Sequence, residues 1–257
     1  MILLFSGTGN SLHVANLLSA RLGDEIITLP LKNGGILNKD FERIIWVFPV
    51  YSWGVPPVVS RWIKEIDIPR AEDVAHHAVM TCGDDIGQAD MMWRKEIEAR
   101  GWRTAGTFSV QMPNTYVLMK GFDVDSESLA EEKIKAAASR VEEISEKIVN
   151  LPHPDYSDVV RGGFAWIKTK LIYPYFVKFE MSPKPFHSTT ACTGCGVCAR
   201  SCPLANITMI KARDGHPAPA WGQNCALCLG CYHACPHHAV AYGKITKNKG
   251  QKKILKK

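Results

Sequence analysis

The sequence predicts an α/β protein in which a doubly wound, five-stranded parallel sheet is followed by a small α+β domain. Two observations predict the sheet. In residues 1–150, short apolar runs alternate with amphipathic stretches, as in repeated strand–helix units, and a glycine-rich loop directly follows the first run. A third observation predicts the small domain, because eight of the nine cysteines lie between Cys192 and Cys235. Without a secretory signal, such a cluster indicates metal ligation rather than disulfide bonds.

Five apolar runs predict strands, and four amphipathic segments predict helices. The strands are expected at residues 2–5, 25–29, 43–50, 75–81 and 104–110, and the helices at residues 10–22, 55–66, 88–100 and 126–150. Strands that helices cover on both faces form a parallel sheet. For five strands the expected order is 2-1-3-4-5, with ligands bound at the carboxyl ends of the strands.

The composition of this 257-residue chain excludes several classes of protein. Hydrophobic residues make up 46% and charged residues 22%, as in a soluble protein with a core, which excludes a disordered chain or a small disulfide scaffold. No apolar stretch reaches the roughly 20 residues of a membrane span. The first apolar run has no basic residues before it, so we expect a cytoplasmic protein without a signal peptide.

The net charge of +6 originates at the C-terminal end. Residues 243–257 hold seven lysines and no acidic residue, which leaves 24 basic and 25 acidic side chains in the rest of the chain. We expect this Lys-rich tail to be a solvated terminus, with binding to nucleic acid or to a membrane surface as the less favoured alternative. The rest of the chain offers no basic stripe, so no nucleic-acid partner is expected.

Residues 151–187 differ in composition from the segments on either side. They contain five prolines, and six aromatic residues lie between Phe164 and Phe179. A flexible linker would be polar, so this segment is expected to pack between two domains. Attachment to a membrane surface is the alternative, but Pro174 is expected to interrupt the amphipathic helix that such attachment requires.

Residues 188–242 form an internal repeat with a period of 33 residues, in which each half reads C-x2-C-x2-C-x3-C-P. In this pattern three closely spaced thiolates bind one [4Fe–4S] cluster, and the cysteine before the proline binds the other cluster. The first cluster is expected on Cys192, Cys195, Cys198 and Cys235, and the second on Cys225, Cys228, Cys231 and Cys202.

A pair of structural zinc sites is the alternative for these cysteines. Four-cysteine zinc sites normally use two separated C-x2-C pairs, whereas this chain has two triplets, each followed by a distal Cys-Pro. The pattern resembles that of the bacterial two-cluster ferredoxins at all eight cysteines. The histidines that flank the second motif are expected to be surface or packing residues, because the ligand set is complete without His233, His237 and His238.

The glycine-rich loop lacks the features of two common nucleotide sites. A dinucleotide fingerprint needs a third glycine where Leu12 stands, and a Walker A loop needs a Gly-Lys-Ser/Thr sequence. Hydroxyl, amide and backbone N–H donors at a helix N-terminus instead bind a terminal phosphate without a basic side chain. The loop resembles the FMN-phosphate loop of flavodoxins, which implies a flavodoxin-like fold and phosphate contacts at Ser6, Gly7, Thr8, Gly9, Asn10 and Ser11.

Two loops after the third and fourth strands, and one segment after the fifth, are expected to contact the flavin ring. An aromatic residue of the first loop could stack on the ring, the backbone of the second could bind its pyrimidine edge, and Tyr116 is a candidate second stacking partner. Cys82 is expected to be buried and unreactive. The candidates are Pro49, Tyr51, Trp53, Gly54, Thr81, Cys82, Gly83, Asp84, Asn114 and Tyr116.

The whole chain resembles a family of flavodoxin–ferredoxin fusion proteins of anaerobic bacteria. The resemblance includes the Tyr-x-Trp-Gly-x-Pro-Pro loop at Tyr51, the Met-Pro-Asn segment at Met112 and the aromatic linker. It implies FMN and two [4Fe–4S] clusters on one polypeptide. The implied domains are a flavodoxin-like domain at residues 1–150, an inter-domain segment at 151–187, a ferredoxin domain at 188–242 and the Lys-rich tail.

These cofactors favour an electron-transfer protein, because clusters carry one electron and a flavin carries one or two. Electrons would pass between the clusters, FMN and an external redox partner protein, and no catalytic residue is assigned. One alternative is a flavin-dependent oxidoreductase that delivers electrons from its own clusters to a small molecule. Another is a redox-sensing or assembly module of a larger complex. The sequence alone leaves open whether the protein is an enzyme.

Overall fold

The computed structural model describes residues 1–31, 41–150, 155–212 and 215–252. Its main sheet is parallel throughout and has the strand order β2-β1-β3-β4-β5-β6. The predicted order 2-1-3-4-5 and the flavodoxin-like fold are therefore confirmed, with one short strand added at the edge. The strands are β1 (Ile2–Leu4), β2 (Ile26–Thr28), β3 (Arg43–Pro49), β4 (Ala75–Cys82), β5 (Arg103–Gln111) and β6 (Ser157–Asp158).

Four helices cover the two faces of this sheet: α1 (Asn10–Leu22), α2 (Pro57–Glu65), α3 (Ala89–Glu98) and α4 (Glu127–Val149). Alternate residues of each strand point to opposite faces. On β3, Trp46 and Phe48 pack with α2 and α3, whereas Ile45 and Val47 pack with α1 and α4. Burial of such apolar side chains on both faces fixes the register of each strand. The register in turn sets where the loop after each strand lies at the edge of the sheet.

Local sequence signals explain where these helices begin. Ser126 caps α4, because its hydroxyl accepts a hydrogen bond from the Leu129 N–H at 3.3 Å. The residue before α1 is Gly9, which adopts a left-handed conformation with φ 93° and has no side chain to act as a cap. The N-terminus of α1 is thus left without a side-chain cap at the end of β1.

The cysteine-rich part of the chain forms two small antiparallel pairs and two short helices. Strand β7 (Phe186–Ser188) pairs with β10 (Val240–Tyr242), and β8 (Ile207–Lys211) pairs with β9 (Pro217–Trp221). Each cysteine triplet continues into a short helix, at Val197–Arg200 or Gly230–Ala234. This arrangement agrees with the predicted α+β domain and its internal repeat. The Asp214–Gly215 pair between the two halves of the repeat predicts a turn, but Asp214 lies outside the described residues.

The segment between the two domains contains a continuous helix, which we name the linker helix. It consists of alternating α- and π-helical turns at Ala165–Ile167, Lys168–Ile172, Tyr173–Tyr175 and Phe176–Glu180. The expectation that Pro174 interrupts a helix is therefore wrong, because π-helical turns accommodate the missing N–H. One face of this helix packs against the rest of the protein, and the other is exposed.

The structure also corrects the expectation for the Lys-rich tail, because residues 243–252 pack against the protein. The Gly250 N–H donates to Asp123 Oδ1 at 2.8 Å, and the Lys249 ammonium donates to the Phe122 carbonyl. The Lys252 N–H donates to His233 Nδ1 at 3.1 Å. This segment ties the cysteine-rich part of the chain to the segment after β5. Residues 253–257 lie outside the described part of the chain. Within the described part, no helix is both long and apolar enough to cross a membrane.

Candidate cofactor site

A cavity of about 230 Å³ lies at the carboxyl ends of β1, β3, β4 and β5. This is the edge at which open α/β sheets bind their ligands. The structure brings fourteen of the sixteen predicted flavin contacts to the cavity wall. They are Ser6, Gly7, Thr8, Asn10, Ser11, Pro49, Tyr51, Trp53, Thr81, Cys82, Gly83, Asp84, Asn114 and Tyr116. The two that do not line the cavity are Gly9 and Gly54.

The loop after β1 contributes a set of uncharged polar groups. Ser11 Oγ lies 2.8 Å from Thr81 Oγ1, and Asn10 Nδ2 donates to the Pro113 carbonyl at 2.8 Å. The buried Asn10 Oδ1 has no hydrogen-bond partner. At the mouth of the loop, Thr8 Oγ1 lies 3.4 Å from Thr115 Oγ1. Among the described residues, none on the cavity wall is Lys or Arg, so a phosphate here would depend on hydroxyl and backbone donors.

The loop after β3 forms a tight turn that the linker helix holds in place. Tyr51 and Gly54 exchange two backbone hydrogen bonds of 3.0 Å. Between them, Ser52 and Trp53 have φ angles of 44° and 64°, as in the turns that close hairpins. A Cβ at Gly54 would overlap the ring of Tyr173, so this glycine allows the helix to approach rather than facing the cavity.

Two polar contacts reinforce the attachment of this turn. Thr169 Oγ1 donates to the Trp53 carbonyl at 2.7 Å, and Tyr173 Oη donates to the Val55 carbonyl at 2.5 Å. The Lys168 ammonium lies 5.0 Å from the ring centre of Trp53 and pairs with Asp85 at 2.7 Å. These contacts fix the position of the aromatic turn at the cavity.

The remaining cavity wall is aromatic and apolar. Tyr116 contacts Phe122 and Phe176 edge to face, with ring centres 5.9 and 6.3 Å apart. Burial raises the pKa of the Tyr51 hydroxyl well above its ordinary value, and burial also raises the pKa of Tyr116 to about 12. Both phenols are therefore neutral at physiological pH. Several residues of this wall were not predicted from the sequence: Thr115, Met119, Phe122, Phe176, Leu227 and Leu229.

The loop after β4 combines a buried thiol with a supported backbone. Burial, followed by the nearby Asp85 and Asp84, raises the pKa of the Cys82 thiol to about 12. This thiol is protonated at neutral pH and is not a nucleophile. Lys133 Nζ donates to the Gly83 carbonyl at 3.0 Å, and the Asn114 side-chain amide donates to the Asp123 carbonyl at 2.5 Å.

The eight clustered cysteines surround two small cavities. The first cavity is lined by Cys202, Cys225, Cys228 and Cys231, and the second by Cys192, Cys195, Cys198 and Cys235. Each cavity thus joins the triplet of one motif with the Cys-Pro cysteine of the other motif. This grouping supports the ligand sets that the repeat predicts.

The surroundings of the sulfur atoms suit thiolate ligands. Backbone N–H groups of Asn206, Leu227 and Ala239 donate to the sulfurs of Cys202, Cys225 and Cys235 at 3.3, 3.4 and 3.2 Å. Such bonds stabilise cysteines that hold iron–sulfur clusters. Within the described ranges, no three His, Cys, Asp or Glu side chains converge on the position of a single metal ion. The sulfur positions therefore give no support to the zinc alternative.

The three flanking histidines have different surroundings. His233 is buried, and its Nε2 lies 2.8 Å from the Thr115 carbonyl, across the boundary between the two domains. Burial lowers the pKa of its imidazole to about 4. His238 is exposed and contacts the Tyr232 hydroxyl at 2.8 Å, while the exposed His237 borders the second cysteine cavity.

The first cysteine cavity and the large cavity share a wall. Leu227, Cys228 and Leu229 line the large cavity, and Cys228 also lines the first cysteine cavity. The loop after β1 contacts this wall directly, because a Cβ at Gly230 would lie 2.7 Å from the Gly7 carbonyl oxygen. The second cysteine cavity shares no lining residue with the large cavity, and Cys195 of that set is exposed.

Comparison with known proteins identifies the cysteine-rich part. Residues 180–240 match the family model of the 4Fe-4S dicluster domain, which supports iron–sulfur clusters in this part of the chain. No curated protein sequence matches the chain.

Solved structures resemble a little more than half of the chain. The Trp repressor binding protein from Bacillus subtilis is 14% identical, over 55% of this chain and 97% of that one, with a TM-score of 0.36. An azoreductase from Bacillus anthracis str. Sterne is 9% identical, over 57% of this chain and 98% of that one, with a TM-score of 0.37. Azoreductase AzrA is 12% identical, over 57% of this chain and 100% of that one, with a TM-score of 0.36.

Proposed function

We propose that this protein transfers electrons between a bound FMN, two [4Fe–4S] clusters and an external redox partner. The observation that carries the proposal is the shared wall: Cys228 borders both the large cavity and the first cysteine cavity. When bound, the clusters would supply one-electron transfer and the flavin would supply one- or two-electron transfer. The protein's part is to hold these groups close together and to shield them from water.

The residues around the large cavity fit FMN in three ways. The uncharged donors of the loop after β1, including Ser6 and Thr8, suit a terminal phosphate at the uncapped start of α1. The aromatic residues Tyr51, Trp53 and Tyr116 suit a flat ring, and the backbone of residues 81–84 suits its polar edge. We assign these residues to FMN binding.

The order of the sites defines a path for electrons through the protein. The cluster on Cys202, Cys225, Cys228 and Cys231 would lie beside FMN. The cluster on the other set would lie further out, where the exposed Cys195 offers a point of contact for a partner protein. We therefore assign the outer cluster to exchange with the partner and the inner cluster to exchange with FMN.

The groups at the large cavity favour an electron carrier over a substrate-specific oxidoreductase. In the part of the chain that the structure describes, no residue that lines this cavity is His, Lys or Arg. The Tyr116 phenol and the Cys82 thiol have pKa values raised to about 12 by burial, so neither is suited to proton transfer at neutral pH. Asp85 is engaged in its ion pair with Lys168.

A rapid-mixing experiment separates the carrier from the oxidoreductase. Oxidised protein, prepared without oxygen, is mixed with NADH, with NADPH or with a reduced low-potential ferredoxin, and flavin bleaching is followed. We expect fast reduction by ferredoxin and very slow reduction by either nicotinamide. Saturable reduction by a nicotinamide on the order of 1–1000 per second would support the oxidoreductase instead.

A further inference from the structure

The outer face of the linker helix is apolar and exposed. Ile167, Leu171, Tyr175 and Phe179 follow one another at intervals of four residues and form a single stripe along the helix. Leu171 and Phe179 are 58% and 59% exposed. Trp166 lies beside this stripe, and Phe164, at the start of the helix, is 81% exposed. A contiguous patch of this kind on a folded domain marks an interaction surface.

This outer face has no role in fastening the helix to the protein. The opposite face supplies the attachment, through the hydrogen bonds of Thr169 and Tyr173 to the turn after β3. Phe176, on that same inner face, is buried against the iron–sulfur domain and Tyr116. The apolar stripe therefore remains exposed in the folded chain.

The charge of the segment indicates what would cover the stripe. Residues 159–180 contain four basic side chains and a single acidic one, the exposed Glu180 at the end of the helix. Two of the basic side chains are neutralised, because Arg161 pairs with Asp90 and Lys168 pairs with Asp85. The other two, Lys170 and Lys178, are exposed and lie beside the apolar stripe. The Lys178 ammonium lies 5.1 Å from the ring centre of Phe179, so charge and apolar surface are presented together.

We propose that the outer face of the linker helix binds the surface of a bilayer that contains anionic lipids. Aromatic and aliphatic side chains would enter the interfacial region, and Lys170 and Lys178 would contact lipid phosphates. A second copy of the chain fits this face less well. It would bring Lys170 and Lys178 of both copies together, with Glu180 as the one acidic residue that each linker helix offers to pair with them.

Flotation with lipid vesicles tests this proposal. Holoprotein purified without oxygen is mixed with vesicles of phosphatidylcholine alone or of phosphatidylcholine with phosphatidylglycerol. We expect binding to the anionic vesicles only, and a loss of roughly tenfold or more in the double variant Leu171→Glu/Phe179→Glu. The matched control is Met91→Glu/Val149→Glu, which adds the same charge at two exposed apolar residues on other helices and should bind like the unmodified protein.

Each outcome of this experiment is decisive, and none depends on electron transfer. Flotation that falls in the linker-helix variant and persists in the control supports the proposal. Equal flotation of both double variants overturns it, because the lipid contact would then lie elsewhere, for example in the Lys-rich tail. Absence of flotation, with a dimer in light scattering that the linker-helix variant abolishes, also overturns it and makes this face a contact between copies.

Discussion

The backbone of Gly7 lies directly against the side chain of Cys228. A Cβ built at Gly7 would stand 2.9 Å from the Cys228 sulfur and 2.9 Å from its carbonyl oxygen. Gly7 belongs to the proposed phosphate loop, and Cys228 to the inner set of cluster ligands. The glycine therefore serves the contact between two domains, in addition to any role in the loop itself.

Substitution of Gly7 by Ala should disturb both proposed cofactor sites. The added methyl group must displace either the loop or Cys228, and overpacking of this kind costs about 1–3 kcal/mol. We expect FMN affinity to fall by roughly tenfold, measured by flavin fluorescence, together with partial loss of the inner cluster signal in electron paramagnetic resonance. The control is Gly163→Ala, because a Cβ at Gly163 meets nothing within 4 Å. Equal behaviour of the two variants would contradict the proposed contact.

Replacement of either Cys-Pro cysteine by Ser should damage the cluster that the triplet of the other motif binds. In Cys202→Ser we expect loss of the cluster on Cys225, Cys228 and Cys231, since all four line one cavity. In Cys235→Ser we expect loss of the other cluster. Paramagnetic resonance of the reduced proteins should show complementary losses, from a starting content of about eight iron atoms per chain. Damage confined to each variant's own triplet would rule out the crossed ligand sets.

Substitution of Thr8 by Leu should weaken FMN binding. It removes a hydroxyl that lies 3.4 Å from Thr115 Oγ1 at the mouth of the loop, and it adds bulk there. A lost hydrogen bond to a charged group costs about 1.5–3 kcal/mol, or roughly ten- to hundredfold in affinity. Titration with FMN and with riboflavin measures the effect. Thr8→Ser keeps the hydroxyl and should retain affinity. A leucine variant that binds FMN as tightly as the unmodified chain would exclude this loop as the phosphate site.

The buried His77 should make the protein less stable in mild acid. Burial lowers the pKa of its imidazole from 6.5 to about 4, and its Nδ1 accepts a hydrogen bond from the Gly106 N–H at 3.2 Å. The unfolded chain therefore binds a proton below about pH 6.5 that the folded chain does not. The contribution of His77 to the free energy of unfolding is therefore fully present above about pH 6.5 and is lost as the pH falls toward 4. Between pH 7 and pH 5 the free energy of unfolding should fall by roughly 2 kcal/mol.

The variant His77→Asn keeps an acceptor for the Gly106 N–H but cannot titrate. We expect this variant to be less stable than the unmodified protein at pH 7 and to lose less stability between pH 7 and pH 5. Stability is measured by thermal unfolding monitored by circular dichroism. The exposed His187→Asn should retain the full pH dependence. Parallel curves of melting temperature against pH for all three proteins would contradict this role of His77.

Local sequence patterns predicted the fold well where they are strong. The predicted bounds of α1 match the observed ones at both ends. The helical pattern of apolar residues lies between Gly9 and Gly23, and both glycines adopt left-handed conformations that an α-helix does not contain. The strand order follows from the alternation of buried strands and amphipathic helices. Strand β6 was not predicted, because the two residues Ser157–Asp158 carry no apolar pattern.

The site was predicted where its residues follow a strand and was missed where they come from distant segments. Thr115, Phe176 and Leu227 reach the large cavity only through the docking of the two domains and the linker helix, which no local pattern encodes. For the same reason the packed part of the Lys-rich tail was not foreseen. Its hydrogen bonds to Asp123 and His233 join residues far apart in sequence.

Electron exchange within a single chain tests the central claim most directly. The flavin of the holoprotein is photoreduced without oxygen, and samples frozen at increasing times are examined for reduced clusters by paramagnetic resonance. Because Cys228 borders both proposed sites, reduced clusters should appear at a rate that does not change when the protein is diluted. A rate that falls in proportion to protein concentration would show that electrons pass only between molecules, and would contradict an internal path from FMN to the clusters.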